Sequence, residues 1–420
     1  MPVVTTPGAQ SAEFTITGIE QIRVDVPFHP RSAAVYEIRA RAWSVIDLFK
    51  ITLGCGVLGV GETTVNYTWG AGNDGTLQEL VGRNAFDLLW DDALGAGVQM
   101  ALFDAVGKAL GVPCHRLMGV QHKSACPLSW WAQDMKPEAW AAEAQAAQSQ
   151  GFTSMKVKAR PWFDLDRQLE AVCAVVSPHF KIDADFNFML LGPDLAAPLI
   201  SRLERKYPNL AIVESPIPQG DVAGNVTLRQ KIRTPIAMHL GDPPVMTAIA
   251  QGVCDGFVIS GGVTQVLREG TLCDIANKPF WLQLVGTGLT AMFSVHLAAV
   301  LRQARWPAIS CINIYENPLV QDIKVTGGCV QVPQGPGLGV ELDWDAIERF
   351  RVADDFSKPP KREIHTITWP DGRSVDYPDG GYRSEFTDGK MVGFLPGMDF
   401  DVRQDDGSDD FDSDYIKAFG

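Results

Sequence analysis

The 420-residue sequence lacks several features that mark particular classes of protein. No apolar run approaches the roughly 20 residues that cross a bilayer. The N-terminus lacks the basic start and apolar core of a secretory signal peptide. No cluster of lysines and arginines offsets the net charge of −14, which argues against nucleic-acid binding. We therefore expect a cytoplasmic protein that engages neither a membrane nor a nucleic acid.

Cysteine pairs of the CxxC type are also absent, although the chain contains eight cysteines. Several of them lie inside apolar runs, as Cys173, Cys254 and Cys311 do. This distribution is typical of buried free thiols in a reducing compartment. Apolar material is plentiful, since 46% of the residues are hydrophobic and 20% are charged. The composition therefore predicts a globular protein with an ample core.

Four short apolar runs end on charged or metal-capable residues, at the spacing of one βα unit. They occupy residues 155–158, 181–185, 211–214 and 235–239. Continuous apolar strands are typical of parallel sheets that are covered on both faces. In a (β/α)₈ barrel the C-terminal ends of the strands carry the active site. The pattern predicts consecutive barrel strands that present polar groups at one end.

The surrounding sequence predicts an α/β chain in three parts. Residues 1–125 form a first α+β domain with strands at 14–25 and 45–52 and a helix at 94–110. Residues 126–325 form the barrel. Its eight predicted strands span residues 126–131, 154–158, 181–185, 211–214, 236–239, 256–260, 280–285 and 311–315.

The last part of the chain has a different composition. Residues 326–354 supply a hairpin and a helix that complete the first domain. Residues 355–420 form a small β-rich appendage, with Asp-Gly turns at 369–372 and 386–389 between strand-like flanks. The acidic run at 399–414 is predicted to be a solvated tail.

Two lysines and two carboxylates stand out at the ends of the predicted strands. The side chains of Lys156 and Lys158 lie on the same face of their strand. Two ammonium groups so near to each other lower each other's pKa, so one of the two amines becomes usable as a base. Asp183 and Glu214 offer hard oxygen ligands that suit Mg²⁺. The alternatives are a surface Lys-x-Lys and solvated strand-end carboxylates. The combination favours a metal-stabilised carbanion enzyme.

Seven short pieces follow one another along about residues 14–353. They are Gly59-Val60-Gly61-Glu62, Gln99-Met100-Ala101-Leu102-Phe103-Asp104 with Gly107-Lys108-Ala109-Leu110-Gly111, Lys156-Val157-Lys158, Asp183-Ala184-Asp185, Glu214-Ser215-Pro216, Gly261-Gly262-Val263-Thr264 and Pro336-Gly337-Leu338-Gly339. In this order they resemble the enolase superfamily, in its mandelate racemase and muconate lactonising enzyme branch. The resemblance implies an α+β capping domain with a modified (β/α)₈, TIM-type barrel. The C-terminal β-rich extension lies outside the family pattern.

The resemblance also implies a role for each polar strand end. Lys158 would be the base, and Lys156 would help to hold the substrate carboxylate. Asp183 and Glu214 would hold one Mg²⁺ ion. Asp185 takes the place of a side chain that supports the first ligand, and we count it among the substrate-side residues.

The third metal ligand is open between two residues. The family has a carboxylate at the end of strand five, where this chain has His239. Imidazole usually suits softer metals than Mg²⁺. Asp242 is chemically better but lies three residues further on. His239 is therefore a candidate ligand or substrate contact, and Asp242 is the alternative ligand.

The second base that racemising family members use is missing. Predicted strand six, residues 256–260, has no lysine, and strand seven has no histidine at its end. His296 falls within the following helix, where we expect it to pack. One base suffices for elimination of water if another group protonates the leaving hydroxyl. The candidates are Lys158 itself, a metal-bound water, His239, Tyr315 and Glu316.

Substrate contacts are expected from strand ends and from loops of the first domain. Trp131 could line the substrate pocket. Arg31 could meet a second acidic group of the substrate, or it could be a solvated surface arginine. The loops that would select the substrate lie near residues 28–31 and 66–69.

The leading hypothesis is a Mg²⁺-dependent hydro-lyase that dehydrates a hydroxy acid such as an acid sugar. The alternatives are a racemase, epimerase or cycloisomerase of the same superfamily, and a non-catalytic member that serves binding or assembly. A small carboxylate substrate and a homo-oligomer are expected.

Overall fold

The structure is a computed structural model that describes residues 12–65, 77–321 and 323–420. By its internal contacts the chain divides into two compact units. The first unit comprises Met1–Pro30, Ala40–Trp130 and Phe257–Ser357, and the second comprises Arg31–Arg39, Trp131–Gly256 and Lys358–Gly420. The three-part division predicted from the sequence stays a prediction. In the described part of the chain, no helix has the length and hydropathy to cross a membrane.

Strands and helices alternate through most of the chain. The strands are β1 Ile16–Asp25, β2 Val45–Leu53, β3 Leu58–Thr64, β4 Ala125–Ala132, β5 Ser154–Lys158, β6 Lys181–Asp185, β7 Leu210–Glu214, β8 Ile236–His239, β9 Gly256–Ile259, β10 Phe280–Leu282, β11 Ala308–Ile309, β12 Val325–Thr326, β13 Cys329–Gln331, β14 Glu363–Thr368, β15 Ser374–Tyr377 and β16 Asp399–Gln404. The helices are α1 Ala33–Arg39, α2 Ala96–Leu110, α3 Cys114–Met118, α4 Pro137–Ser149, α5 Leu165–Val175, α6 Pro193–Lys206, α7 Val222–Lys231, α8 Val245–Gln251, α9 Val263–Ile275, α10 Gly288–Val300, α11 Trp344–Phe350, α12 Tyr382–Thr387 and α13 Asp409–Phe419.

The first unit contains the antiparallel sheet β1-β2-β3, with α2 packed closely against it. Two glycines of β3 make that approach possible. A Cβ on Gly59 would lie 2.2 Å from the carbonyl oxygen of Ala101, and one on Gly61 would lie 2.1 Å from that of Gly97. No side chain fits at these distances, so the glycine-punctuated hairpin of the sequence reflects close packing of helix on strand.

The second unit contains four consecutive parallel strands, β5 to β8, each paired with the next. Helices α5 to α7 occupy the three connections between them. Met155 and Val157 are fully buried, as expected for strands that are covered on both faces. The alternation predicted from the four apolar runs is therefore confirmed, and the carboxyl ends of these strands meet at one edge.

The eighth predicted barrel strand, residues 311–315, is wrong. A two-residue strand, β11, ends at Ile309, and a 3₁₀ helix follows at Ile312–Ile314. Cys311 precedes that helix with a φ of 64°, a left-handed conformation that interrupts an extended strand. The apolar run therefore packs as a helical turn, which its composition did not reveal.

The appendage Lys358–Gly420 is an antiparallel sheet in the order β15-β14-β16, with helices α12 and α13. The predicted turn at residues 369–372 joins β14 to β15 and is confirmed. The predicted turn at 386–389 is also present, since the N–H of Gly389 donates to the carbonyl oxygen of Phe386 at 3.0 Å. Its predicted strand-like flanks are wrong, because the turn follows α12 and the next strand begins only at Asp399. The aspartates of the acidic run 399–414 are exposed or half-buried, as expected of a solvated segment. The run is nevertheless ordered: it forms β16 and the first part of α13, where Asp409 and Asp410 lie in the first turn and complement the helix dipole.

The predicted fold class is confirmed. The chain is an α/β protein with an N-terminal sheet of the capping type and a curled, mixed half-barrel sheet. Its small C-terminal extension contains the expected β structure as a three-stranded sheet, together with two helices.

Candidate active site

Three charged residues lie level with one another at the ends of neighbouring strands. The register pairs Lys158 of β5 with Asp185 of β6, and Asp185 with Glu214 of β7. Asp183 is paired with Lys156, two residues before the end of each strand. Because side chains two residues apart share a face, both lysines and both aspartates belong to one polar cluster.

Lys158 is held by two acceptors from β6 and the residues that follow it. Its Nζ lies 2.5 Å from Oδ2 of Asp185 and 3.1 Å from Oδ1 of Asn187. Burial lowers the pKa of the Lys158 amine, and the nearby cations of Lys156 and Arg160 lower it further, against the opposing charge of Asp185. A lysine with a lowered pKa exposes a neutral amine nearer to physiological pH, which is what a general base requires.

Lys156 has the opposite environment. Its side chain is fully buried and forms an ion pair with Oε2 of Glu214, and its Nζ also lies 3.4 Å from Oδ2 of Asp185. Burial alone would lower the pKa of this amine, but the carboxylates of Glu214, Asp185 and Asp183 outweigh it and raise the pKa. Lys156 is therefore a permanent cation within the cluster.

The pKa values of the two aspartates of β6, Asp183 and Asp185, are also shifted in opposite directions. Burial and the negative charge of Glu214 raise the pKa of Asp183 well above its ordinary value. Its Oδ1 atom is buried and has no hydrogen-bond partner among the described residues. Burial would also raise the pKa of Asp185, but the cations of Lys158, Lys156 and Arg160 hold that pKa well below its usual range. Asp183 thus keeps an acceptor atom available inside the cluster.

At the end of β8 the structure brings His239 to the cluster. Its Nε2 lies 3.2 Å from Oε1 of Glu214, and the side chain is 37% exposed. Asp242 is exposed in the turn that follows. Gln219 fixes this turn, since its Nε2 donates to the carbonyl oxygens of His239 and Asp242, at 3.2 and 2.6 Å. Of the two candidate third ligands, His239 is the one whose side chain lies beside Glu214, whereas Asp242 meets Gln219 through its carbonyl oxygen.

The donor set suits a hard divalent cation, although the side chains are not arranged around one. Within the described ranges, no three histidine, cysteine or carboxylate side chains converge closely enough to hold a metal ion. The ammonium of Lys156 lies between Glu214 and Asp185. The carboxylates and the unpaired Oδ1 of Asp183 are nevertheless the ligands that Mg²⁺ prefers. The residues fit the ion by chemistry.

Three residues predicted at the substrate pocket, two as contacts and Tyr315 as a contact or proton donor, have protein partners in the structure. Trp131 is buried and stacks on Tyr36, with ring centroids 5.6 Å apart. Arg31 forms an ion pair with the buried Glu143, from Nε to Oε1 at 2.6 Å. Tyr315 belongs to the first unit, and its hydroxyl donates to the carbonyl oxygen of Trp43 at 2.9 Å. Their roles in binding stay predictions, and the predicted loop at residues 66–69 lies outside the described residues.

Sequence reasoning missed three polar residues of the cluster, Arg160, Asn187 and Gln219. Asn187 follows β6 with a φ of 43°, and that turn brings its side-chain oxygen to Lys158. Arg160 donates from Nη2 to the same oxygen at 2.5 Å. A polar residue two positions after Asp185 was the available signal for Asn187. An arginine after a strand carries no comparable signal, because most such residues lie in solvent.

Comparisons with known proteins show which family the chain is similar to. Residues 139–346 match the family described as enolase C-terminal domain-like. The chain is 23% identical over 411 residues to a D-xylonate dehydratase from Haloferax volcanii, covering 81% of this chain and 95% of that protein. It is 26% identical over 268 residues to an N-succinylamino acid racemase from Thermus thermophilus, covering 61% and 71%. The crystal structure of a mandelate racemase/muconate lactonizing family protein from Azoarcus sp. EbN1 aligns with a TM-score of 0.62 and 28% identity, covering 82% and 99%.

Proposed function

Because this chain belongs to the enolase superfamily, in its mandelate racemase and muconate lactonising enzyme branch, we propose that it is a Mg²⁺-dependent hydro-lyase. The proposed substrate is a hydroxy acid such as an acid sugar. The enzyme would remove the proton next to the carboxylate and expel the hydroxyl of the adjacent carbon as water. Because the α-carbon of such an acid sugar also carries a hydroxyl, the product would be an enol, which would tautomerise to a 2-keto acid.

The observation that carries the proposal is the contrast between the two lysines on β5. Lys158 has a lowered pKa and a partly open side chain, 15% exposed, whereas Lys156 is fully buried and has a raised pKa. A base and a fixed cation on one strand can each contribute one function to the removal of a proton from carbon. The base accepts the proton while the cation offsets negative charge on the substrate carboxylate.

Each cluster residue then has a task in the proposed reaction. Lys158 accepts the α-proton at Nζ while Asp185 and Asn187 hold the amine through their side-chain oxygens. Asp185 also stabilises the ammonium that results, because its own pKa is held low and it stays ionised. Lys158 can then return a proton to the leaving hydroxyl, and His239 is the second candidate for that step.

The superfamily typically uses a divalent metal. Asp183 and Glu214 would hold it, with His239 as the proposed third ligand because it contacts Glu214. A bound Mg²⁺ would offset the negative charge that builds on the substrate carboxylate as the proton leaves. Asp183 supports this assignment, since its buried Oδ1 has no protein donor among the described residues.

Elimination is preferred over racemisation because strands β9 and β10 supply no second base of the familiar kind. Gly256–Ile259 contains no lysine, and Phe280–Leu282 and the residues after it contain no histidine before His296. His296 is fully buried in α10, where its Nε2 lies 3.0 Å from the carbonyl oxygen of Leu338. The similarity to a dehydratase supports the same choice.

A racemase or epimerase is the second candidate, favoured by the position of His239. Its imidazole is exposed by more than a third and lies beside Glu214, so it could serve as the second acid or base. The similarity to an N-succinylamino acid racemase supports this alternative.

A library of acid sugars and other hydroxy acids tests the proposal, with Mg²⁺ present and with a chelator in its place. We expect 2-keto acid to form from at least one hydroxy acid, only when the metal is present. The same reactions in D₂O separate the two candidates. Deuterium in recovered substrate without keto acid would favour the racemase, and neither product nor exchange across the library would reject both.

A further inference from the structure

The appendage Lys358–Gly420 packs against the segment that follows the strand of Lys158. This segment, residues 159–164, is the β5–α5 loop, and all six of its residues are buried. It begins at the residue after Lys158 and ends at Asp164, which caps α5 through a hydrogen bond to the backbone N–H of Arg167 at 3.1 Å. Loops at the carboxyl ends of barrel strands are usually exposed and mobile. A fully buried one is held by something outside the barrel.

Backbone hydrogen bonds join the β5–α5 loop to the appendage at two places. The N–H of Phe394 donates to the carbonyl oxygen of Pro161 at 2.7 Å. Further along, the N–H of Gly397 donates to Oδ2 of Asp164 at 2.7 Å, and the N–H of Asp164 donates to the carbonyl oxygen of Met398 at 3.2 Å. Hydrogen bonds depend on direction as well as distance, so these bonds hold the backbone of the loop in one position against the appendage.

Aromatic packing covers the middle of the loop. Trp162 meets Tyr382 edge to face with centroids 4.7 Å apart, and Phe163 meets Phe400 at 5.5 Å. Trp162 and Tyr382 are fully buried. Such pairs add directional contact to the area that they bury. The loop and the appendage therefore share one apolar core.

Gly393 marks the closest approach of the two segments. A Cβ at this position would lie 2.5 Å from Cβ of Pro161 and 2.8 Å from its carbonyl oxygen. Neither atom belongs to a flexible chain end, so any larger residue would push the loop away from the appendage. The same Cβ would lie 2.9 Å from Cε2 of Phe386 within the appendage. Gly393 has no positive φ, so a substitution there would act through these contacts and not through backbone strain.

Arg160 links the loop to the base. Its Nη2 donates to Oδ1 of Asn187 at 2.5 Å, and its Nη1 donates to the carbonyl oxygen of Asp185 at 3.1 Å. Lys158 donates to the same Oδ1 of Asn187 at 3.1 Å. The guanidinium thus fixes the oxygen that helps to orient the lysine amine.

We infer that the appendage is a brace for the active site, which fixes the β5–α5 loop so that Arg160 acts as a positioning residue for Lys158. The brace itself is a statement about the fold. Its effect on turnover rests on the proposed function, and the two parts are tested by different measurements.

Hydrogen–deuterium exchange in the full-length protein tests the brace without any substrate. Gly393→Ala should raise exchange of the amides in residues 159–164 by about tenfold or more, since local opening of the loop becomes easier. The control is Phe411→Ala, which removes a buried side chain from α13 of the appendage, away from the β5–α5 loop in sequence. It should leave the loop unchanged. Equal exchange in the loop of wild type, Gly393→Ala and Phe394→Ala would overturn the brace.

Kinetics on a substrate found in the library test the positioning role of Arg160. Arg160→Ala should lower kcat by about 10- to 100-fold with KM changed less than about threefold, because a misplaced base slows the chemical step. Arg160→Lys should restore part of the loss, since it keeps one donor for Asn187. An unchanged kcat, or a rise in KM alone, would overturn the role. If wild type turns over no substrate, the proposed function fails while the exchange experiment still decides the brace.

Discussion

Lys156 and Lys158 leave one strand two residues apart, yet their surroundings move the pKa of their amines in opposite directions. Lys156 is enclosed by the carboxylates of Glu214 and Asp185, which keep it charged. Burial lowers the pKa of Lys158, and the cations of Lys156 and Arg160 lower it further against the carboxylates of Asp185 and Glu214. Two lysines that the sequence presents as equivalent are therefore suited to different tasks.

Calorimetric titration with Mg²⁺ tests the proposed ligand set. Asp183→Ala should weaken binding by at least about tenfold, because it removes a buried carboxylate with a free oxygen. His239→Ala should weaken binding more than Asp242→Ala does, since only His239 contacts Glu214. The larger effect for Asp242→Ala would contradict this assignment. Identical binding by wild type and Asp183→Ala would remove Asp183 from the site.

Arg31→Ala distinguishes a structural arginine from one that binds substrate. In the ion pair between Arg31 and Glu143, the glutamate side chain is 1% exposed and the arginine side chain is 20% exposed. Loss of this cation should lower the free energy of unfolding by about 2 kcal/mol, less than for a fully buried pair. Chemical denaturation measures that change, with KM expected to stay within about twofold. A large rise in KM at unchanged stability would instead place Arg31 at the substrate.

His296 predicts an acid-dependent loss of stability in the first unit. Its imidazole is buried beside His115, with the two Nδ1 atoms 3.2 Å apart. Burial lowers the pKa of His296 to about 4, so the unfolded chain binds the proton first as the pH falls. The contribution is complete above about pH 6.5 and is lost towards pH 4, by about 3 kcal/mol.

Urea unfolding of wild type and His296→Gln between pH 7 and pH 4 measures this contribution. The difference in unfolding free energy between the two proteins should shrink as the pH falls. The exposed His122 provides the control, since His122→Gln should leave the pH dependence unchanged. If the difference in unfolding free energy between wild type and His296→Gln did not change with pH, the expectation would be contradicted.

The parts of the fold that the sequence predicts are those encoded locally. The apolar runs of β5 to β8 and their polar ends follow from period and spacing, and the register brings Lys158, Asp185 and Glu214 level. Failures occurred where a backbone conformation overrides composition. Cys311 and Asn187 both have positive φ, which ends a predicted strand in one case and turns a side chain towards Lys158 in the other.

The opposite pKa shifts of Lys156 and Lys158 could not be predicted from the sequence, for a different reason. Mutual repulsion of two lysines predicts a lowered pKa for either amine. The outcome is decided by Glu214, which lies on another strand and pairs with Lys156. The secondary structure of the acidic run could not be predicted either, because its aspartates are solvated, as expected, and yet lie on β16 and α13.

The most direct test of the account measures the role of Lys158. With a substrate from the library, the rate of 2-keto acid formation and of α-proton exchange in D₂O is compared for wild type, Lys158→Ala and Lys181→Ala. Lys181 is an exposed lysine on the neighbouring strand and serves as the control. We predict that Lys158→Ala lowers both rates by about a thousandfold, while Lys181→Ala stays within about twofold. Turnover and exchange by Lys158→Ala within about tenfold of wild type would contradict the assignment of Lys158 as the base.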